Sequence, residues 1–97
     1  DITYHRSSRI LTRGSRRQIL DEVQGRLLEA LMSRPGSIFE KQELRDLALA
    51  SEASAAQDKQ SRKISAKIKE LRASLTANGE PDVIKTIRGV GYALERA

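Results

Sequence analysis

Cysteine is absent from the 97 residues and histidine occurs once, at His5. The first absence excludes a disulfide framework, a thiolate zinc site and a cysteine nucleophile, and it fits a reducing compartment. The second leaves no metal centre and a poor basis for activating a serine. Tryptophan is also missing, and one Phe and two Tyr are the whole aromatic supply. The core must therefore come from Leu, Ile, Val and Ala contributed by several short elements. No apolar run approaches the ~20 residues of a membrane span. The start Asp1-Ile2-Thr3-Tyr4 is neither a signal peptide nor a natural initiator, so an excised or processed domain is expected. Gly89-x-Gly91 lacks the third glycine and the following helix of a dinucleotide site. An enzyme is not expected, nor a cofactor or metal.

What is present is positive charge, unevenly spread. The net charge is +5, and a chain of 97 residues is one domain with a modest core. Residues 1–20 hold five Lys or Arg against one acid, residues 21–58 four against eight, residues 59–75 six against one, and the remainder three against three. Two basic blocks separated by an acidic middle suit a protein with one face for a polyanion. A merely solvated helix face is the plainer account of 59–75. The five N-terminal arginines read first as outward residues of a half-exposed sheet.

Along the chain, Ile2–His5, Arg9–Thr12 and Gln18–Leu20 suggest a small antiparallel meander over residues 1–20. Asp21-Glu22-Val23-Gln24 has the spacing of a capping box, and Val23, Leu27, Leu28 and Leu31 give a first helix over 22–33 an apolar face. Gly25 within it implies a close backbone approach or a weakened helix. Arg34-Pro35-Gly36 ends that helix. Ser37–Phe39 reads as a brief extended piece and Lys41–Ala50 as a second helix, with Leu44, Leu47 and Ala48 inward. Residues 51–60 lack apolar periodicity and read as a loop or frayed helical end.

The clearest helix is 61–75. Ile64, Ile68, Leu71 and Leu75 fall within about 60° on a helical wheel. Arg62, Ala66, Lys69 and Ala73 point away from that seam, with Lys63, Lys67 and Glu70 on one flank. Asn78-Gly79 supplies a C-terminal cap and Pro81 blocks continuation. Two short strands, Val83–Ile87 and Tyr92–Leu94, flank Arg88-Gly89-Val90-Gly91, whose glycines permit the positive φ of a tight hairpin. The organisation is thus α+β: a small sheet (1–20), a helical core (21–82) and a hairpin (83–97). A helix with an apolar seam, long cations and small gaps at Ala66 and Ala73 is suited to the major groove of duplex DNA, and Arg88 at a hairpin tip to the minor groove.

The run from Arg62 through Ile68-Lys69-Glu70-Leu71-Arg72 to Leu75, followed by Ile84-Lys85-Thr86-Ile87-Arg88-Gly89-Val90-Gly91-Tyr92, closely resembles the recognition helix and wing of OmpR/PhoB-type response-regulator effector domains. Leu27–Gly36 and Lys41-Gln42-Glu43-Leu44 are similar to that family's first two helices, so the resemblance covers essentially the whole chain. It implies a winged helix-turn-helix with a four-stranded antiparallel N-terminal sheet, three helices and a C-terminal hairpin wing. It further implies a cytoplasmic, nucleoid-associated transcription factor, with a receiver domain phosphorylated by a histidine kinase, that binds double-stranded DNA as two copies on tandem half-sites. By position, Arg62, Lys63, Ala66, Lys67, Lys69 and Glu70 fall on the DNA-reading surface. Arg72 falls at a phosphate-contacting or helix-anchoring place, and Thr86, Arg88 and Tyr92 match the wing, with Arg88 in the minor groove. Loop 49–60 corresponds to a segment able to touch RNA polymerase.

The chain departs from that pattern in four places: Asp21 replaces the usual Thr cap, Gly25 stands where an aromatic packs, the loop lacks a Trp, and Glu70 stands where a base-rich helix carries a cation. Glu70 reads either as a specificity residue accepting from a cytosine amino group or as a local neutraliser of Lys67 or Lys63. Tyr92 reads as core packing or a phosphate contact, and Arg72 as a salt bridge or a DNA contact. Two rivals stay open: a winged helix that has turned to protein partners, and a DNA-binding domain attached to a membrane anchor or another non-receiver sensor.

Overall fold

The computed structural model describes residues 2–49, 57–77 and 79–95. Strands β1 (Ile2–His5), β2 (Ile10–Arg13) and β3 (Arg16–Ile19) form an antiparallel meander in that order. Period-two alternation turns Ile2 and Tyr4 toward the helices and leaves Thr3 and His5 exposed. Strand β1 has its expected bounds, β2 and β3 sit one or two residues from theirs, and Leu20 is buried just beyond β3 rather than within it. Among the described residues this sheet has three strands, not the four implied by the resemblance.

Helix α1 spans Glu22–Ser33, with the expected capping box: the Gln24 N–H donates to Asp21 Oδ1 (2.7 Å) and the Asp21 N–H to Gln24 Oε1 (3.1 Å). Leu27, Leu28 and Leu31 are fully buried. Gly25 meets a side chain rather than a backbone, since a Cβ there would overlap the Tyr4 hydroxyl. The aromatic ring that the resemblance places at position 25 thus comes from β1. Burial, then the nearby Glu29 carboxylate, raises that hydroxyl's pKa.

Strand β4 (Ile38–Glu40) leads directly into α2 (Lys41–Ala48). Helix α2 stops two residues earlier than expected, and Leu47 faces outward at 49% exposure, while Leu44 and Ala48 are buried. With only eight residues, α2 covers the core with a narrow stripe. Helix α3 (Gln57–Leu75) starts a turn before the periodicity does. Residues 57–60 are polar, so no apolar repeat marks them, although Gln and Lys are good helix formers and Asp58 suits the first turn. Most of the segment 51–60 that read as a loop, residues 51–56, lies outside the described residues.

The three helices pack on one another around the α3 seam, where Ile64, Ile68, Leu71 and Leu75 are at most 1% exposed. Strands β5 (Ile84–Ile87) and β6 (Gly91–Leu94) form the hairpin, and β4 pairs with β6 to give a second sheet in the order β4-β6-β5. Only one of the hairpin glycines uses positive φ, Gly89 at 75°. Gly91 is needed for space, because a Cβ there would overlap the Phe39 carbonyl oxygen of β4.

Two of the N-terminal arginines have inward work. Arg13 and Arg16 are directly opposed across the β2–β3 hairpin and so share one face. Both reach the C-terminus of α3: Arg13 donates to the Leu75 carbonyl (2.6 Å) and the Pro81 carbonyl (3.0 Å), and Arg16 to the Ser74 carbonyl (2.8 Å). Arg16 also pairs with both oxygens of Glu80, at 3.0 and 2.9 Å. The last carbonyls of a helix lack intrahelical partners and carry partial negative charge, which two guanidinium groups satisfy. Hydrogen bonds from charged groups are worth about 1.5–3 kcal/mol each. Arg16→Ala should therefore lower the unfolding free energy in urea by about 1.5–3 kcal/mol, whereas Arg17→Ala, at the exposed neighbouring position, should change it by less than about 0.5 kcal/mol. Equal effects of the two would contradict the capping role.

Candidate nucleic-acid interface

The buried seam leaves α3 one outward face, on which Arg62, Ala66, Lys69 and Ala73 are all exposed. The sequence wheel and the structure agree on each of these four. Arg62, Lys69 and Arg88 take part in no ion pair among the described residues, so three cations stand ready for an outside anion. Lys63 is half-buried on the flank of the helix.

Lys67 is different. It lies nearer the seam, and its ammonium donates to Asp21 Oδ2 at 2.6 Å and to Glu70 Oε1 at 3.3 Å. Glu70 Oε1 also accepts from Gln24 Nε2 at 2.9 Å. The cap of α1 is thereby tied to the middle of α3 by four polar side chains, and sequence spacing within either helix gives no hint of it. Burial alone would raise the Asp21 carboxyl, but the Gln24 N–H and the Lys67 ammonium outweigh it and hold the group below the usual aspartate range. Lys67 is held above its ordinary value, chiefly by its bond to Asp21. The neutralising contact of Glu70 with Lys67 is present, though weaker than that of Asp21.

Arg72 reaches across to the wing. Its Nε lies 2.9 Å from Asp82 Oδ2, and Nη2 donates to the Ile84 carbonyl (2.7 Å) and to Thr86 Oγ1 (2.9 Å). Thr86 is exposed beside it. Together these bonds fix the root of β5 against α3. Tyr92 is only 6% exposed, and its hydroxyl lies 3.5 Å from Ser65 Oγ, so its ring packs between the wing sheet and α3. The Arg88 side chain is at the exposed hairpin tip, followed by the Val90 N–H to Ile87 carbonyl turn bond (2.9 Å). An open cleft of about 420 Å³ runs along the hairpin, lined by Lys41, Thr86, Arg88 and Tyr92 among others.

One positioning residue escaped the sequence reading. The Arg34 guanidinium lies 4.5 Å from the centre of the Phe39 ring and donates to Glu43 Oε2 at 2.7 Å, linking the end of α1, β4 and α2. The Lys41 N–H donates to the Val90 carbonyl at 3.3 Å, so the start of α2 is fastened to the wing.

A family model described as "Transcriptional regulatory protein, C terminal" matches residues 16–94. The phosphate regulon transcriptional regulatory protein PhoB of Rhizobium meliloti (strain 1021) is 36% identical over 95 residues, covering 98% of this chain and 40% of that protein. The chain thus spans well under half the length of that relative. The DNA-binding domain of E. coli CadC has the same fold, with a TM-score of 0.84 at 24% identity over 99% of this chain and 87% of that one. The Klebsiella pneumoniae RstA DNA-binding domain, solved in complex with the RstA box, is similar at a TM-score of 0.76 and 25% identity, covering 97% and 90%.

The Asp21–Lys67 pair has a pH signature. With its folded pKa held low, Asp21 contributes stability that is complete above the unfolded aspartate value near 4 and is lost as pH falls through the lower folded value. Lys67, held high, contributes stability that is complete below the unfolded lysine pKa and is lost as pH rises through its higher folded value. Asp21→Asn keeps an N-cap acceptor but removes the charge. Its cost in unfolding free energy should shrink as pH is lowered from about 6 to about 2. A cost independent of pH would contradict the ion pair.

Proposed function

Since the chain belongs to the transcriptional regulatory protein C-terminal family, we propose that it is a sequence-specific binder of double-stranded DNA, with α3 in the major groove and the Arg88 hairpin in the adjacent minor groove. The observation that carries this reading is the division of α3 into a seam at most 1% exposed and an opposite face of two cations alternating with two alanines. Methyl-sized gaps allow the helix to approach base edges, and long cations reach phosphates and guanines. Arg62, Lys63 and Lys69 supply that reach, and Lys67 joins them only by exchanging Asp21 for a phosphate. Arg72 and Thr86 brace the wing, and Tyr92 packs it onto α3, which supports a positioning part for all three. Arg88 fits a narrow, electronegative minor groove.

The solved RstA domain bound to its DNA box gives this reading further support. So does the relative PhoB, whose printed name is that of a transcriptional regulator and whose length beyond the shared 40% leaves room for a further domain. In the whole protein that place suits a receiver phosphorylated by a histidine kinase. A second copy would occupy the tandem half-site, about one helical turn away. The site calls for neither cofactor nor catalysis, and DNA binding puts the protein at the nucleoid in the cytoplasm. A contact of segment 49–60 with RNA polymerase falls largely outside the described residues. The carboxylates at Asp21 and Glu70 are what a protein-binding winged helix would share, but Arg62 and Lys69, which have no ion pair among the described residues and share the outward face of α3, favour DNA.

Duplex affinity should fall steeply between about 50 and 200 mM salt, the logarithmic slope being about 0.9 per phosphate neutralised. Lys69→Ala should reduce that slope by about one contact at every sequence, and Arg88→Ala should also weaken the preference for A/T tracts beside the site. Fluorescence anisotropy across a salt series checks both. Affinity that does not change with salt would overturn the proposal.

A further inference from the structure

Glu70 is the one acid between Lys59 and Leu75. It is exposed, and it stands one turn from both Ala66 and Ala73, on the flank of the face whose small residues let the helix approach a groove. Its carboxylate is held from one side only. Oε1 accepts from Gln24 Nε2 and Lys67 Nζ, while nothing among the described residues donates to Oε2. Exposed ion pairs of this kind contribute about 0–1 kcal/mol to stability, so folding gives Glu70 little reason to be there. Two donors on one oxygen do, however, fix the direction of the other.

Resting on the DNA-binding reading above, we infer that Glu70 is a specificity-determining residue whose Oε2 accepts a hydrogen bond from the N4 amino group of a cytosine in the major groove. A carboxylate is acceptor-only, so the phosphates, guanine O6 and N7 and thymine O4 all repel it. Two base edges donate there, adenine N6 and cytosine N4. Adenine places its N7 acceptor beside the amino group, which opposes a carboxylate, and cytosine does not. Asp21, Lys67 and Gln24 act as positioning residues. Lys67 is then a brace for Glu70 more than a reader of DNA, which accounts for its turn toward α1.

The assignment separates cleanly from simple charge neutralisation. Glutamine keeps the shape of Glu70 but matches the N6 and N7 pattern of adenine. Duplexes selected from a random pool by the parent chain should share a cytosine at one position. Selection by Glu70→Gln should move that position toward adenine, and Glu70→Ala should leave it without preference, with discrimination there falling by about tenfold or more. The remaining positions should be unchanged, and thermal melting of both variants should match the parent. A uniform rise in affinity for all sequences, with the selected motif intact, would overturn the assignment while leaving DNA binding standing. Failure of the parent itself to retain duplex at low salt would instead overturn the reading beneath it, and the assignment with it.

Discussion

Ile64, Ile68, Leu71 and Leu75 lie along a single stripe of α3, each at most 1% exposed, and the packing of α1 and α2 meets on that stripe. Burying a branched aliphatic side chain is worth about 1.5–3 kcal/mol, which makes this seam the strongest single constraint on the orientation of α3. Rotation by one residue would move about 100° of helix surface and bring cations into the core. What faces outward is therefore a consequence of what is buried. The exposed alternation of Arg62, Ala66, Lys69 and Ala73 is the other side of the same pattern.

Around the seam, charged groups fasten α3 at three levels. Arg13 and Arg16 hold its C-terminal carbonyls to the first sheet, Arg72 holds its last turns to β5, and Lys67 ties its middle to the cap of α1. These fastenings use cations that composition alone would assign to a polyanion. Of the basic residues in the two positive blocks, only part remains for outside work, and on the outward face of α3 Arg62 and Lys69 have no ion pair among the described residues. A winged helix needs this division, since phosphate contacts set register only if the elements carrying them do not move.

Much of this was legible in the sequence because it is local. The Asp21–Gln24 box bounds α1, the 64–68–71–75 spacing identifies the α3 seam, and Gly89 marks the hairpin turn. The outward residues follow from the seam by geometry. The parts that were not legible depend on distant partners. Nothing near Arg13 or Arg16 announces Leu75 or Ser74 some 60 residues on, and nothing near Gly25 announces the Tyr4 ring. Ser37–Phe39 could be read as extended, but not β4 as a partner of β6, since pairing is not written in a three-residue strand. The first turn of α3 was missed because a polar turn has no apolar period. Leu47 counted as inward on spacing alone, yet a helix of eight residues turns too few of them to the core.

The central claim is that the buried seam of α3 presents its opposite face, together with the wing tip, to duplex DNA. Titration of the isotope-labelled chain with a short duplex, followed by backbone amide NMR shifts, tests it most directly. The largest perturbations should map to Arg62, Ala66, Lys69, Glu70 and the Arg88–Val90 turn, with the amides of β1–β3 little changed. Perturbations centred on the exposed face of the first sheet, around Arg17 and Ile19, with α3 unaffected, would contradict the account.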